Sequence, residues 1–516
     1  FTRWFPPLPI SSNQPMASIH PNSSSLARPR PGRLAAVPEG STDGAKADHP
    51  TVVGLYRDQI QAVDLSVVRR RSTIFGHGGS SSSSASNSCP SSNSGYSSGS
   101  ASAVALECLG NPELQRIARQ MIRDGYTWHM VQAFNGASPA PALISGGSPG
   151  HALDSWFSEL DVDWVLQIDD EQGLRQLLRD KPATTQDLVN KWIRALTVIA
   201  ANITELLLGF YTMPAVLLFG KASITELFDV VDVIITVLEA EKLRAVLDMF
   251  TCVCRELHIL SICNEIGGPF KRQANRLSEV IASTIEEVRT HVEEDDSWAI
   301  DIPRGGGEVH NNTRFIMDCI LSMMNAHTST ENSAPSHNSE NLGALIDGTI
   351  DYLKGLLFTK SESCSDQSLR YLFLLNNSYF ISHVVSGSSG SFIYKNIPSR
   401  LPPECKKYMD NYLDVSWGHM FSCMPKSRFP GPIHCWINTS SLAKFESAFH
   451  KTYQAQKFWK VPDPKLREAL RRAITERVIS GYRDYLEEHR ELKKHVGRKS
   501  SSPEVLEEML GQLFEG

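Results

Sequence analysis

Two acidic clusters hold residue types that could bind a divalent metal ion. They are Asp169–Glu171 and Glu293–Asp296. Clusters of this kind bridge Mg²⁺ to a diphosphate in all-α isoprenoid synthases. That chemistry needs a third ligand one helical turn further on, where this chain has Gly173. The sequence therefore favours solvated acidic helix ends over a metal site.

Two glycine-containing segments resemble phosphate-binding loops only in part. Gly305–Gly307 lacks the following Lys-Ser/Thr pair, while Gly220-Lys221 is followed by Ala222 and lacks the upstream glycine. Because a nucleotide phosphate is held by these groups together, turns are the better interpretation. The histidines have no Cys, Ser or Asp partner at a recognisable catalytic spacing. We therefore expect a protein that is not an enzyme and that needs no cofactor.

The C-terminal end is the positively charged part of a chain whose net charge is −6. Residues 444–499 hold 15 basic and 8 acidic residues, whereas residues 151–300 hold 13 basic and 25 acidic ones. The overall charge argues against a general nucleic-acid binder, but clustered Lys and Arg suit an anionic membrane, where each contributes on the order of 1 kcal/mol. The alternative is a solvated loop that keeps the protein soluble. The candidate lipid-binding side chains are Lys493, Lys494, Arg498 and Lys499 in one loop, with Arg471 and Arg472 on the preceding helix.

Helices are predicted on both sides of this basic loop, residues 493–499. Asp463 followed by Pro464 is typical of a helix start, and so is Ser502 followed by Pro503. The first helix places an apolar residue at every fourth position and the second at i, i+3, i+4, i+7 and i+8, so each must bury one face. These residues are Leu466, Leu470, Ile474, Val478, Tyr482 and Leu486, and then Leu506, Met509, Leu510, Leu513 and Phe514.

The rest of the chain after Val104 predicts further helices and no convincing strand, which indicates an all-α fold. Ala195–Gly220 is almost entirely apolar, but Glu205 lies near its centre and Pro214 interrupts it. We therefore expect a buried helix, a turn and a second helix there, and no transmembrane segment. Breaks between helices are predicted near Asn135–Gly150, Ile300–Gly307, His327–Asn341, Ser386–Ser391 and Pro425–Pro432, each rich in Gly, Pro, Ser or Asn.

Residues 1–103 are predicted to be mostly disordered. Residues 1–50 are rich in Pro and Ser, and Ser80–Ser102 is mostly Ser, so both have too few apolar side chains to offset their chain entropy. Between them, Val52–Ile74 could form one short helix. The first residue is Phe1, and we expect that the true start could be Met16.

The ten cysteines favour a reducing, cytosolic compartment. Only Cys252 and Cys254 are close in sequence, and the chain has neither a CxxC pair nor a zinc-binding spacing. Buried free thiols are therefore expected, and not a disulfide framework.

Four longer segments are specific enough to compare with known families. They are IPRGGGEVHNNTRFIMDCI (302–320), LRYLFLLNNSYFI (369–381), ECKKYMDNYLDVSWGHMF (404–421) and FWKVPDPKLREAL (458–470). In this order they resemble the exocyst complex 70 kDa subunit family, its plant branch in particular. The resemblance covers roughly residues 108–516 and is strongest after Asp301.

The resemblance implies that residues 104–516 form an elongated rod of stacked helical bundles, with residues 440–516 as its basic C-terminal bundle. It implies a non-enzymatic exocyst subunit that tethers secretory vesicles to the plasma membrane during exocytosis. Such a subunit is cytoplasmic and peripheral at the plasma membrane. The implied partners are the other exocyst subunits, small GTPases and phosphatidylinositol 4,5-bisphosphate, which the basic loop and neighbouring helices would contact.

Family members normally begin with a long coiled-coil segment that assembles with sister subunits. Residues 1–103 contain only Val52–Ile74, whose apolar residues are too loosely spaced for a stable coiled coil. The alternative is therefore a divergent member that acts outside the complex as an interaction adaptor, for example in plant immunity. On either interpretation we expect weaker assembly with the exocyst than a member with the full segment would have.

Overall fold

The structure is a computed structural model, and it describes residues 54–65, 111–136, 149–168, 170–180, 184–209, 214–238, 242–260, 264–333, 337–388, 401–424, 432–492 and 502–515. Within these ranges nearly every residue is helical, and the only β-type pairing is an isolated bridge between Lys460 and Glu515. The predicted all-α fold is confirmed.

The helices are numbered here in chain order. The first nine are α1 (Leu55–Ala62), α2 (Pro112–Arg123), α3 (Tyr126–Phe134), α4 (Pro149–Glu159), α5 (Glu171–Asp180), α6 (Thr185–Gly209), α7 (Pro214–Val237), α8 (Lys242–Leu260) and α9 (Asn264–Glu294). The others are α10 (Ser297–Arg304), α11 (Asn311–Ser333), α12 (His337–Ser361), α13 (Gln367–Ser388), α14 (Pro403–Trp417), α15 (His419–Ser422), α16 (Pro432–Gln456), α17 (Pro464–Glu488) and α18 (Pro503–Gly511). Two 3₁₀ segments are Asp163–Gln167 and Arg490–Leu492.

The last two α-helices begin where the sequence predicts. Asp463 accepts hydrogen bonds from the backbone N–H groups of Lys465 and Leu466, both at 2.9 Å, and α17 starts at Pro464. Ser502 caps α18 in the same way. All six predicted apolar residues of α17 are buried, as are four of the five predicted for α18 and the turn after it. Both starts and both buried faces are confirmed.

Helix α1 packs onto the helices that follow it through hydrogen bonds and ion pairs to carboxylates. The backbone N–H of Tyr56 donates to Glu159 Oε1 at 2.7 Å, and its hydroxyl donates to Asp124 Oδ2 at 2.7 Å. Burial and the hydrogen bond to Asp124 raise the pKa of Tyr56, which keeps the phenol protonated as a donor. Arg57 Nη2 lies 2.8 Å from Asp161 Oδ1. Polar contacts thus fix this short helix in place.

Asp161 is the centre of this arrangement. Its side chain is only 3% exposed, and Lys191 Nζ lies 2.9 Å from its second carboxylate oxygen. Its φ of 61° is a left-handed conformation, which Asp adopts more readily than most residues. We call Arg57, Glu159, Asp161 and Lys191 the N-terminal charge cluster.

Within Val52–Ile74 the structure describes residues 54–65, of which Leu55–Ala62 form α1. Residues 66–74 lie outside the described part of the chain. So do residues 1–50 and Ser80–Ser102, and the disorder expected there stays a prediction.

The long apolar segment predicted to form two packed helices does so as α6 and α7. Trp192 Nε1 donates to the carbonyl of Leu227 at 2.7 Å, and this contact joins the two helices. Among the described helices, α6 alone is long and apolar enough to cross a bilayer, but 67% of its most apolar window is buried within the protein. Glu205 points outward and pairs with Arg119 at 3.1 Å. The packing is that of a core helix.

Helix α13 separates two hydrophobic cores. Phe373, Leu374 and Ile381 belong to the first core, which extends from α1 to α13. Leu372 and Leu375 belong to the second, which extends from α13 to the end of the chain. We call helices α14–α18, which build this second core, the C-terminal bundle.

A glycine segment, Gly305–Gly307, joins the two cores. Gly306 and Gly307 have left-handed φ values of 58° and 88°. The carbonyl of Gly306 accepts from the N–H of Lys460 at 2.8 Å, and that of Gly307 accepts from Asn376 Nδ2 at 2.6 Å. Asn376 Nδ2 also donates to the carbonyl of Lys460 at 2.9 Å. The turn predicted at Gly305–Gly307 is confirmed, and we call it the glycine junction. The turn predicted at Gly220-Lys221 is wrong, because both residues lie inside α7.

Two predicted breaks between helices are wrong in extent. Helices α11 and α12 extend over all of His327–Asn341 except 334–336, which lie outside the described residues, and they bury Thr330 and Ser339. In the predicted break Ile300–Gly307, α10 continues to Arg304 and buries Ile302. Polar composition predicted loops there, whereas tertiary packing stabilises helix.

The six cysteines whose side chains the structure describes are free, as the sequence predicts, and four of them are buried. Burial raises the pKa of Cys252 to about 12, so its thiol stays protonated.

Candidate functional site

The candidate lipid-binding residues fall into two groups. Lys493, Lys494, Arg498 and Lys499 belong to the basic loop, which lies outside the described residues. Arg471 and Arg472 lie on the first half of α17, and the structure gives them different surroundings.

Arg471 binds the C-terminal residues Leu513 and Glu515. Its Nε donates to the carbonyl of Leu513 at 2.9 Å, and its Nη2 contacts the same carbonyl and lies 3.1 Å from Glu515 Oε1. The side chain is 17% exposed. Most of its donors are therefore engaged within the protein.

Arg472 points into solvent. Its side chain is 73% exposed, and its contact is an i, i+4 ion pair with Glu468 at 3.3 Å. Surface pairs of this kind contribute little to stability, because water and salt screen them. Arg472 can therefore exchange this partner for an anionic group at low cost.

The other cations of the C-terminal bundle also divide into paired and unpaired side chains. Arg477 contacts Asp414, Arg483 lies 2.8 Å from Glu507, and Lys460 lies 3.1 Å from Glu308. Six exposed cations of the bundle have no ion pair within the described ranges, and they are Lys406, Lys407, Lys444, Lys451, Lys465 and Arg490. The bundle therefore presents free positive charge besides the basic loop.

Buried aromatic groups hold these surface residues on a well-packed support. The hydroxyl of Tyr412 donates to Gln456 Oε1, and Trp417 Nε1 donates to Tyr412 at 3.3 Å. Phe445 stacks on Tyr482 with ring centroids 4.5 Å apart. Burial raises the pKa of both tyrosines, so neither carries charge at neutral pH.

A buried polar contact fixes the point from which the basic loop begins. Asn438 on α16 and His489 after α17 are both buried, and Asn438 Nδ2 lies 3.1 Å from His489 Nδ1. The 3₁₀ segment Arg490–Leu492 follows directly, and the basic loop follows that segment. Leu492, the last described residue before the loop, therefore lies near the first turns of α16.

Sequence reasoning did not single out Trp436, whose side chain is 74% exposed near the start of α16. The sequence feature that could have indicated it is an aromatic residue within 425–445, a segment that contains no Asp or Glu. Periodicity alone could not show on which face it lies.

The acidic clusters serve local structure. Asp170 Oδ1 accepts from the N–H of Gly173 at 2.8 Å at the start of α5. Asp295 accepts from Ser297 and, at 2.7 Å, from Asn312 Nδ2. Burial alone would raise the pKa of Asp295, but these hydrogen bonds hold it below its usual range. Within the described residues, no three His, Cys, Asp or Glu side chains come together as metal ligands.

The family that comprises the C-terminal part of the Exo70 exocyst complex subunit matches residues 219–512, which include the glycine junction and the C-terminal bundle. The chain belongs to this family. The match ends within the turn after α18 and covers Arg471, Arg472 and the whole basic loop.

Curated relatives in Arabidopsis thaliana carry the same family name. The chain is 26% identical to exocyst complex component EXO70A1 over 309 residues, which cover 54% of this chain and 47% of that protein. It is 25% identical to EXO70C2 over 54% of this chain and 43% of that protein, and 24% identical to EXO70B1 over 58% and 48%. The chain thus spans about half the length of the curated relatives it matches. A solved Saccharomyces cerevisiae Exo70 structure superposes with a TM-score of 0.43 and 14% identity over 79% of this chain and 90% of that one.

Proposed function

We propose that this protein is a non-enzymatic exocyst subunit that tethers secretory vesicles to the plasma membrane. The observation that carries the proposal is the family match over residues 219–512. In this role the helical chain binds sister subunits and small GTPases, and the C-terminal bundle binds anionic lipid. The protein would be cytoplasmic and peripheral at the plasma membrane.

The lipid part of the proposal is supported by charge and exposure in the C-terminal bundle. Arg472 is exposed, six further cations have no ion pair within the described ranges, and the basic loop adds Lys493, Lys494, Arg498 and Lys499. Phosphatidylinositol 4,5-bisphosphate is the ligand we propose, because its clustered phosphates suit several cations at once. Arg471 belongs to the same surface but is engaged with Leu513 and Glu515.

Replacement of the four basic-loop cations by glutamate tests the lipid site. We expect the variant to lose binding to vesicles that contain phosphatidylinositol 4,5-bisphosphate, with an unchanged helical circular dichroism spectrum. Binding by the unaltered protein should weaken as salt increases, because the attraction is electrostatic. Equal binding by the variant and the parent would mean that the loop is a solvated surface only.

Affinity purification of the protein from its native cell tests the tethering role. Recovery of sister exocyst subunits in stoichiometric amounts would support the proposal. Recovery of the protein without them, under conditions in which another family member retains them, would contradict it.

The second candidate is an interaction adaptor that acts outside the complex. The observation that favours it concerns α1, since Tyr56 and Ile60 are buried against the chain's own helices and cannot offer that face to a sister subunit. A chimaera with a conventional coiled-coil segment joined at Val104 distinguishes the two roles. It should restore co-purification if the weakness lies in residues 1–103, whereas continued absence of sister subunits would favour the adaptor role.

We also propose that residues 104–516 form an elongated stack of bundles. A compact domain of this length would have a radius of gyration of about 22 Å. X-ray scattering from that fragment should give a clearly larger value, and a value near that of a compact domain would contradict the proposal.

A further inference from the structure

The side chain of Trp436 projects into solvent in the second turn of α16. It is 74% exposed, and the adjacent Ile437 is 40% exposed. Every other tryptophan that the structure describes is buried or half-buried. An indole ring so exposed leaves a large apolar surface in water, which a partner can cover.

This ring lies at the end of the C-terminal bundle from which the basic loop begins. Asn438 is two residues further along α16, a rise of about 3 Å. Its contact with His489, at 3.1 Å, brings the exposed Arg490 to this end of the helix, next to the exposed Glu487 and Glu488 at the end of α17. An apolar ring and the unpaired cation Arg490 therefore lie at the same end of the bundle.

The charge of the surrounding segment favours a bilayer over a protein as the partner. Residues 425–445 contain Lys426, Arg428 and Lys444 but no Asp or Glu. The interface of a bilayer accepts Trp together with Lys and Arg, whereas an anionic leaflet repels a carboxylate and burial penalises it. A protein partner could carry positive charge itself, so binding to a protein would not in general exclude Asp and Glu from this segment.

We propose that Trp436, with Ile437, inserts into the interfacial zone of an anionic bilayer and anchors the C-terminal bundle there. This proposal rests on the proposed function, in which the same end binds anionic lipid. Salt screens the attraction of the basic loop but not the burial of the ring. Membrane binding therefore has one component that salt removes and one that it does not.

Vesicle binding by the full chain at low and high salt separates the two components. The probe is a phosphatidylcholine vesicle that contains phosphatidylinositol 4,5-bisphosphate. Trp436→Ser should weaken binding about tenfold at low salt and remove the binding that persists at high salt, because it removes an aromatic surface from the membrane. Trp436→Phe should retain most of the binding. Unchanged thermal unfolding will confirm that each variant is folded.

Phe458 supplies a matched control. Its side chain is 70% exposed just beyond the other end of α16, under Lys457 Nζ at 4.7 Å, and it lies two residues before Lys460, which pairs with Glu308. Phe458→Ser removes an equally exposed aromatic ring from the other end of α16, outside the segment 425–445 that lacks acidic residues. We expect it to bind vesicles as the parent does.

Fluorescence quenching by brominated lipid gives a second measurement. Vesicles should quench part of the parent's tryptophan emission, and that part should be absent in Trp436→Phe. If the parent does not bind anionic vesicles at all, the proposed lipid function is wrong and the anchor with it. If the parent binds and Trp436→Ser binds equally well at both salt concentrations, only the anchor is wrong.

Discussion

Asp161 and Arg472 are both charged side chains that make ion pairs, but their surroundings are opposite. Asp161 is 3% exposed and has two cations within 3 Å, Arg57 and Lys191. Arg472 is 73% exposed and shares a single contact at 3.3 Å with Glu468 on its own helix. The first residue joins α1, the segment before the first 3₁₀ turn and α6, whereas the second joins nothing beyond α17.

The difference separates charges that build the fold from charges that are available to a ligand. A carboxylate withdrawn from water depends on its partners, and removal of one side of such a pair is costly. An exposed pair is worth little and can be replaced by another ion. The N-terminal charge cluster is therefore structural, and the exposed cations of the C-terminal bundle are the ones free to bind.

The largest effect is expected at Asp161. Replacement by alanine leaves Arg57 and Lys191 without their shared partner and places a non-polar residue in a left-handed conformation, which should destabilise the protein by about 3 kcal/mol. Asp161→Asn keeps a residue that tolerates this conformation and should cost less. Urea unfolding measures both, and an alanine variant as stable as the parent would remove the contrast with Arg472.

A second effect is expected at the glycine junction. A Cβ on Gly307 would lie 3.0 Å from Leu372, at a φ of 88°, so Gly307→Ala should destabilise the protein by about 2 kcal/mol. Gly355 in α12 has no atom within 4 Å of its Cβ position, and Gly355→Ala should stabilise the protein by about 0.5 kcal/mol. Chemical unfolding measures both variants. If Gly307→Ala and Gly355→Ala shifted the midpoint in the same direction, the left-handed conformation and close packing at Gly307 would not explain the result.

The neighbouring residues Arg471 and Arg472 should differ in their effects on stability and on vesicle binding, and the changes in stability are smaller than the destabilisation expected at the glycine junction. Arg471→Ala removes charged hydrogen bonds to Leu513 and Glu515 and should cost about 1.5 kcal/mol, with little direct loss of vesicle binding. Arg472→Ala should change stability by less than about 0.5 kcal/mol and weaken vesicle binding. Urea unfolding measures the stability of each variant, and vesicle sedimentation measures its binding. If Arg472→Ala were the less stable variant and Arg471→Ala the weaker binder, the roles inferred from exposure would be wrong.

The smallest effect is a pH dependence at His310, beside the glycine junction. Its Nδ1 accepts from the N–H of Asn312 at 3.2 Å, and its ring stacks on Trp298. Burial lowers its pKa, an effect that Asp301 and Asp295 oppose. Because the folded-state pKa is below the unfolded value, the stability due to neutral His310 is complete above about pH 6.5 and is lost as the pH falls toward the folded value.

The variant His310→Gln isolates this contribution. The difference in urea midpoint between pH 7.5 and pH values below the unfolded His pKa should be smaller in the variant than in the parent. An identical pH profile in the two proteins would show that His310 does not titrate in this range.

The sequence predicted those helices whose starts and buried faces are determined by residues close together in the chain. Asp463 and Pro464 set the start of α17, and its four-residue spacing set the buried face, because capping and amphipathicity act within a few residues. The same reasoning failed at the described ends of His327–Asn341, 327–333 and 337–341, where packing stabilises helix in a polar sequence.

Contacts between distant residues could not be predicted in this way. Tyr56 and Glu159 are 103 positions apart, and no periodicity links them. Arg471 and Arg472 look alike in the sequence, but the C-terminal segment packs back onto only one of them. The candidate site was therefore predictable as a region of charge, while the availability of each cation required the structure.

The docking of α1 has a consequence for the connection between it and α2. A helix of eight residues is too short to be stable alone, so α1 depends on the surface that holds it. Residues 66–110 keep it covalently attached, which sets its effective concentration at that surface. Proteolytic cleavage within this connection would convert α1 into a separate peptide, whose retention would then depend on dilution.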